Sequence, residues 1–149
     1  MPADASPRAY FDSSVFVRSY VVERGTADAV RLIQEHAVVS SALAPLELAG
    51  ALRRLRRQRG LSRRQLEGIE ARIRDDRPFW TLLDIDARVL QRAEHELTRG
   101  APLRALEAIH LATALTFQME TTARVPFITA DQQQRRAGLT LGLDVVFVG

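Results

Sequence analysis

A chain of 149 residues, 46% of them apolar, is long enough to bury one α/β core and too short for two ordinary domains, so residues 1–149 read as a single domain. Cysteine is absent and every basic residue behind the count of 21 is arginine; this excludes disulfides, thiolate chemistry and cysteine-bound zinc, and removes the lysine that a Walker A phosphate loop requires. The net charge of +3 is modest, no apolar run approaches the length of a membrane helix, and residues 1–8 carry no apolar export core, so a soluble, cytoplasmic protein with no membrane association is expected.

Residues 9–12 read as a short strand. An apolar helix follows over about 14–22, and a second spans 26–36, where Ala27, Val30 and Ile33 recur at helical spacing. Val38 and Val39 suggest strand two. The next helix covers about 44–58 and is broken by Gly60, after which Ser62 caps a further helix ending near the polar run 75–78. Residues 79–83 are β-like. Asp86 can cap a helix that ends at Gly100, and Pro102 suits the first turn of the following helix, which runs to about Met119. Residues 126–129 give a strand, 131–138 a short helix, and the valine-rich 143–148 a last strand. Strands separated by helices imply parallel pairing through right-handed crossovers, hence a three-layer α/β/α sandwich.

Four carboxylates stand where solubility does not require them. Asp12 and Asp131 each end a strand and open a helix. Helix capping accounts for either one, but the carboxyl ends of parallel strands are also where ligands bind in such sheets. Glu47 has Leu43, Ala44, Gly50 and Ala51 three and four positions away and should face inward, where its charge needs a cation or an interior arginine. Glu107 lies on an Ala- and Leu-rich, largely buried helix with Arg104 and His110 as its nearest polar neighbours. An Arg104 pair and a metal site are both open to it, while His110 reads as a hydrogen-bonded core histidine rather than a ligand. Clustered carboxylates bind hard cations, so convergence of these acids would predict Mg²⁺ or Mn²⁺. Seven arginines crowd residues 53–64 (Arg53, Arg54, Arg56, Arg57, Arg59, Arg63 and Arg64), which suits phosphate binding and equally a solvated helix face.

With those residues placed, the chain resembles the PIN-domain ribonucleases, especially VapC-like toxins of toxin–antitoxin pairs. Tyr10-Phe11-Asp12-Ser13-Ser14-Val15 resembles the first acidic motif of that family and the segment 43–52 around Glu47 the second. The segment 103–114 around Glu107 is similar to the third, and Phe127-Ile128-Thr129-Ala130-Asp131 to the fourth. The resemblance implies a five-stranded parallel sheet in the order 3-2-1-4-5, with Asp12 and Asp131 flanking the crevice. It also implies catalysis of RNA phosphodiester hydrolysis by Asp12, Glu47, Glu107 and Asp131 through one or two divalent cations, a small antitoxin partner and a homodimer. Thr129 or Ser13 is placed to hydrogen-bond a ligand carboxylate or water, and either hydroxyl suits the capping of a local turn equally well. The departure is Glu107, where the family usually has aspartate. Its extra methylene, set against the strict geometry of Mg²⁺, motivates an alternative, a PIN-fold nucleic-acid- or protein-binding module with an impaired metal site. A phosphatase using Asp12 as nucleophile would want a second aspartate at position 14 and a lysine, and the chain offers Ser14 and no lysine.

Overall fold

Three consecutive residues of the first strand, Ala9, Tyr10 and Phe11, are buried, which is the mark of a central strand covered on both faces. The computed structural model describes residues 6–149, so most of the segment read as lacking an export core lies outside the described residues. In chain order the elements are β1 (Arg8–Phe11), α1 (Ser13–Tyr20), α2 (Thr26–Glu35), β2 (Ala37–Ser41), α3 (Ala44–Arg59) and α4 (Arg63–Asp76). A 3₁₀ turn (Arg77–Phe79) leads to β3 (Thr81–Leu83), α5 (Ala87–Thr98), α6 (Ala105–Thr121), β4 (Phe127–Thr129), α7 (Gln132–Thr140) and β5 (Val145–Phe147). All neighbouring strands pair in parallel and the sheet order is β3-β2-β1-β4-β5, the order implied by the family resemblance.

Alternation along β1 sorts the core into two sides. Ala9 and Phe11 pack with Phe16, Leu48, Ile69 and Trp80 from the α1–α4 side. Tyr10 packs instead with Val39, Leu111, Phe127, Ala137 and Leu143, and α5 docks on α6 through Val89, Ala93, Ala108 and Ala112. The result is the expected three-layer sandwich, with helices on both faces of the sheet. Among the described residues no helix is long and apolar enough to cross a membrane.

The punctuation follows the sequence closely. Gly60 ends α3 in the left-handed region at φ 63°, a backbone a glycine adopts without steric penalty. Ser62 then starts α4 with a reciprocal capping box through Gln65, and Asp86 caps α5 by accepting from the Val89 N–H at 3.0 Å. One expectation fails: Pro102 is not in the first turn of α6. That helix starts at Ala105, because Arg104 is extended (φ −81°, ψ 162°) and its N–H is taken by the Glu107 side chain at 2.9 Å, which sets the helix start three residues after the proline. Likewise Phe79 belongs to the 3₁₀ turn and is 82% exposed, so β3 begins only at Thr81.

Candidate functional site

Asp12 follows β1 and Asp131 follows β4, and these strands are neighbours, so both acids stand at the carboxyl edge of the sheet where strand order reverses. Glu47 enters from the first turn of α3 and Glu107 from the first turn of α6. All four line one cleft of about 1060 Å³.

Capping and cleft-lining prove compatible for the two aspartates. Asp12 is fully buried; its Oδ1 accepts from the Ser14 N–H at 2.5 Å and its Oδ2 from the Thr129 hydroxyl. Thr129 in turn accepts from the Asp131 N–H at 3.0 Å, and Ser14 Oγ accepts from the Ala130 N–H at 2.9 Å, so hydroxyls lace the ends of β1 and β4 together. Asp131 Oδ1 takes the N–H groups of Gln133 at 2.7 Å and Gln134 at 3.0 Å, capping α7. Burial pushes the Asp12 carboxyl above the ordinary aspartate range, against the field of His110 and the hydrogen bonds from Thr129 and Ser14. No salt bridge joins Asp12 to an arginine among the described residues.

The inward glutamate finds a histidine rather than an arginine. Glu47 Oε1 lies 2.5 Å from His110 Nε2, and its Oε2 accepts from the Ser13 hydroxyl at 3.2 Å. His110 is fully buried and its Nδ1 lies 2.9 Å from the Tyr10 hydroxyl. A carboxylate can only accept, so Nε2–H donates to Glu47, while burial, reinforced by Asp12, raises the Tyr10 phenol well above its usual range. His110 is thus a satisfied core histidine that orients a cleft carboxylate, as its sequence setting suggested. Glu107, only 10% exposed at its side chain, is held among the described residues by Arg104 alone, through the backbone N–H at 2.9 Å and Nε at 3.1 Å.

Four oxygen-bearing acids lining one cleft, one of them a buried carboxylate without an ion pair among the described residues, match a hard divalent cation in donor type. Among the described residues, however, no three His, Asp or Glu side chains gather closely enough to form a metal cluster. Two of the four acids already have partners of their own, Glu47 with His110 and Glu107 with Arg104.

Thr129 and Ser13 hold cleft carboxylates, as expected from sequence. Tyr10, Ser14 and Gln134 were not singled out. Tyr10 lies two residues before Asp12, hence on the same face of the strand, and Gln134 lies one helical turn after Asp131. Those spacings are the signals that mark them. Gln134 is buried, lines the cleft, and leaves its Oε1 without a hydrogen-bond partner.

No protein-family model matches the sequence. Among curated proteins, it is 37% identical over 113 residues to ribonuclease VapC45 of Mycobacterium tuberculosis, covering 73% of this chain and 76% of the relative. It is 36% identical over 140 residues to ribonuclease VapC46 of the same species, covering 92% and 95%. Among solved structures, a toxin–antitoxin complex from Klebsiella pneumoniae superposes with a TM-score of 0.63 at 18% identity, covering 93% of this chain and 95% of that one.

Proposed function

Since this chain belongs to the VapC ribonuclease family, we propose that it is the toxin of a toxin–antitoxin pair, an endoribonuclease that hydrolyses RNA phosphodiester bonds with the help of Mg²⁺ or Mn²⁺. The observation that carries this reading is Asp12, a fully buried carboxylate at the sheet's switch point that has no ion pair and shares its cleft with three other acids. A bound cation would supply activation of the attacking water and neutralise charge on the leaving oxygen. Asp12, Glu47 and Asp131 are the residues to hold it, with Glu107 the fourth acid lining the same cleft.

The chain's own residues do the rest. Thr129 and the Ser14 N–H fix the two oxygens of Asp12, so this carboxylate needs little reorganisation to serve as a ligand. Ser13 and His110 fix the two oxygens of Glu47. Asp131 is steadied by the first turn of α7 through Oδ1, and its Oδ2 has no donor among the described residues.

Cleavage of labelled RNA by the purified protein, with Mg²⁺, Mn²⁺ or EDTA, tests the reading. Metal-dependent cutting that Asp12→Asn abolishes is the expected result, and cutting that is equally fast in EDTA refutes it. A second reading, an RNA- or protein-binding module with an impaired site, is favoured by the partners that already engage Glu47 and Glu107; RNA binding without turnover at any metal concentration would select it. The antitoxin assignment is supported by the toxin–antitoxin structural relative and by Leu46 and Leu106, two exposed leucines lining the acidic cleft, which suit an apolar segment carrying an arginine. A homodimer is the expected state, checked by sedimentation velocity.

A further inference from the structure

Three arginines line the acidic cleft, and they differ in what already holds them. Arg18 donates to the Arg24 carbonyl at 3.0 Å and lies 4.0 Å from Glu23, so it is engaged by the turn between α1 and α2. Arg54, on α3, makes no hydrogen bond or ion pair among the described residues. Its Nη1 lies 3.5 Å from where a Cβ on Gly50 would stand, an ordinary van der Waals distance, so the guanidinium lies back along α3 beside the cleft. The Arg104 side chain is held among the described residues through Nε alone, by Glu107, which also takes the Arg104 backbone N–H.

That last arrangement has a specific chemical shape. The Glu107 carboxylate is nearly buried while the Arg104 side chain is 83% exposed, so the acid anchors the arginine and not the reverse. With Nε engaged, the guanidinium keeps the parallel N–H donors of Nη1 and Nη2 on its far edge, and neither nitrogen has an acceptor among the described residues. Two parallel donors match two phosphate oxygens. Reaching both the backbone N–H and Nε of Arg104 also occupies both oxygens of Glu107, the one acid of the four that departs from the family's usual aspartate.

We propose that Glu107 is the positioning residue of an RNA-phosphate clamp rather than a cation ligand, fixing Arg104 so that it and Arg54 grip backbone phosphates of single-stranded RNA at the acidic cleft. The proposal rests on the RNA reading above. It moves phosphate affinity from the arginine-rich stretch as a whole to two cleft residues, only one of which lies in that stretch. Elsewhere in the stretch, Arg59 pairs with Glu23 and Arg63 with Glu67.

Binding of labelled oligouridylate to the full chain in EDTA, measured across a KCl series, tests the clamp. Arg54→Ala and Arg104→Ala should each lower the slope of log affinity against log salt by about 0.7, while Arg56→Ala/Arg57→Ala leaves it unchanged. Arg104→Lys should keep the slope but bind more weakly, because an ammonium cannot be held on one edge while offering another. Glu107→Gln preserves the helix cap and should titrate with Mn²⁺ like wild type in calorimetry. A slope that falls only in the Arg56/Arg57 variant, full affinity in Arg104→Lys, or a loss of Mn²⁺ affinity of about tenfold in Glu107→Gln would each overturn the proposal. Normal metal-dependent cleavage with wild-type slopes in Arg54→Ala and Arg104→Ala would sink the clamp alone. No RNA binding or cleavage by wild type would sink the RNA reading with it, and equal, arginine-dependent binding of polyglutamate would replace RNA with a general anion.

Discussion

The two ends of the sheet use similar groups to opposite effect. At the amino end, around the starts of β2 and β3, the Tyr20 hydroxyl donates to Asp76 at 2.5 Å, while Arg72 donates to the Tyr20 carbonyl at 2.8 Å and stands over its ring. Asp76 is exposed there, and a guanidinium is already in place. At the carboxyl end Tyr10 is also hydrogen-bonded, but to His110, and the chain passes through imidazole to Glu47 with the buried Asp12 nearby. In the first region the protein supplies its own cation beside the tyrosine–carboxylate pair and the assembly ties α1 to α4. In the second, Asp12 is left without an ion pair, and water or a cation must make up the difference. A carboxylate near a tyrosine is therefore uninformative by type; what surrounds it decides whether it is a tie or a site.

Replacing Asp12 puts the largest strain on that contrast. Asp12→Asn should cut RNA cleavage by about a hundredfold or more, since a charge fixed in a water-poor cleft is lost. The same change should stabilise the metal-free protein at neutral pH. The folded-state pKa of Asp12 is raised by burial, so its neutral form favours folding below the ordinary carboxyl range, and that contribution disappears as pH rises through the raised value. Urea melts in EDTA should show wild type losing stability over that rise, with Asp12→Asn losing less. Identical pH profiles for the two proteins would mean that Asp12 is compensated after all, and the distinction between the two ends would dissolve.

Removing the buried imidazole comes next. His110→Ala opens a void among fully buried side chains and takes the donor from Glu47 and the partner from Tyr10, so a loss of about 2–4 kcal/mol in chemical denaturation is expected together with reduced cleavage. Tyr10→Phe keeps the ring stacked on Phe127, with centroids 5.5 Å apart, and should cost about 1–2 kcal/mol by leaving His110 Nδ1 unpaired. It should also loosen Glu47, seen as a larger fall in cleavage than in stability. At the amino end, Tyr20→Phe should cost about 1 kcal/mol and leave RNA cleavage untouched. A cleavage defect in Tyr20→Phe of the size seen in Tyr10→Phe would show that the two regions are coupled. The smallest effect is expected from Ser62→Ala, which removes a surface helix cap worth about 1 kcal/mol and serves as the measure of a purely structural loss.

Much of this organisation is legible in the linear chain, because it depends on periods and local punctuation. Helical spacing placed α2, Gly60 and Ser62 placed the break between α3 and α4, and alternating strands and helices implied the parallel sandwich. The four acids stood out as charges at strand ends or among apolar helix neighbours, and the motifs around them carried the family and the sheet order. Local chemistry misled at Pro102, since a proline suits a first turn but cannot command one when a glutamate further along captures the backbone N–H of Arg104. Glu107 found the local partner its sequence offered, Arg104, but for Asp12, Glu47 and Tyr10 the partner was decided by the tertiary structure alone. His110 meets Glu47 across 63 positions, Thr129 meets Asp12 across 117, and Tyr10 meets His110 across 100. Sequence reveals that a buried charge needs compensation, because that follows from its neighbours on the same helix; which group answers depends on where distant helices set it against the sheet.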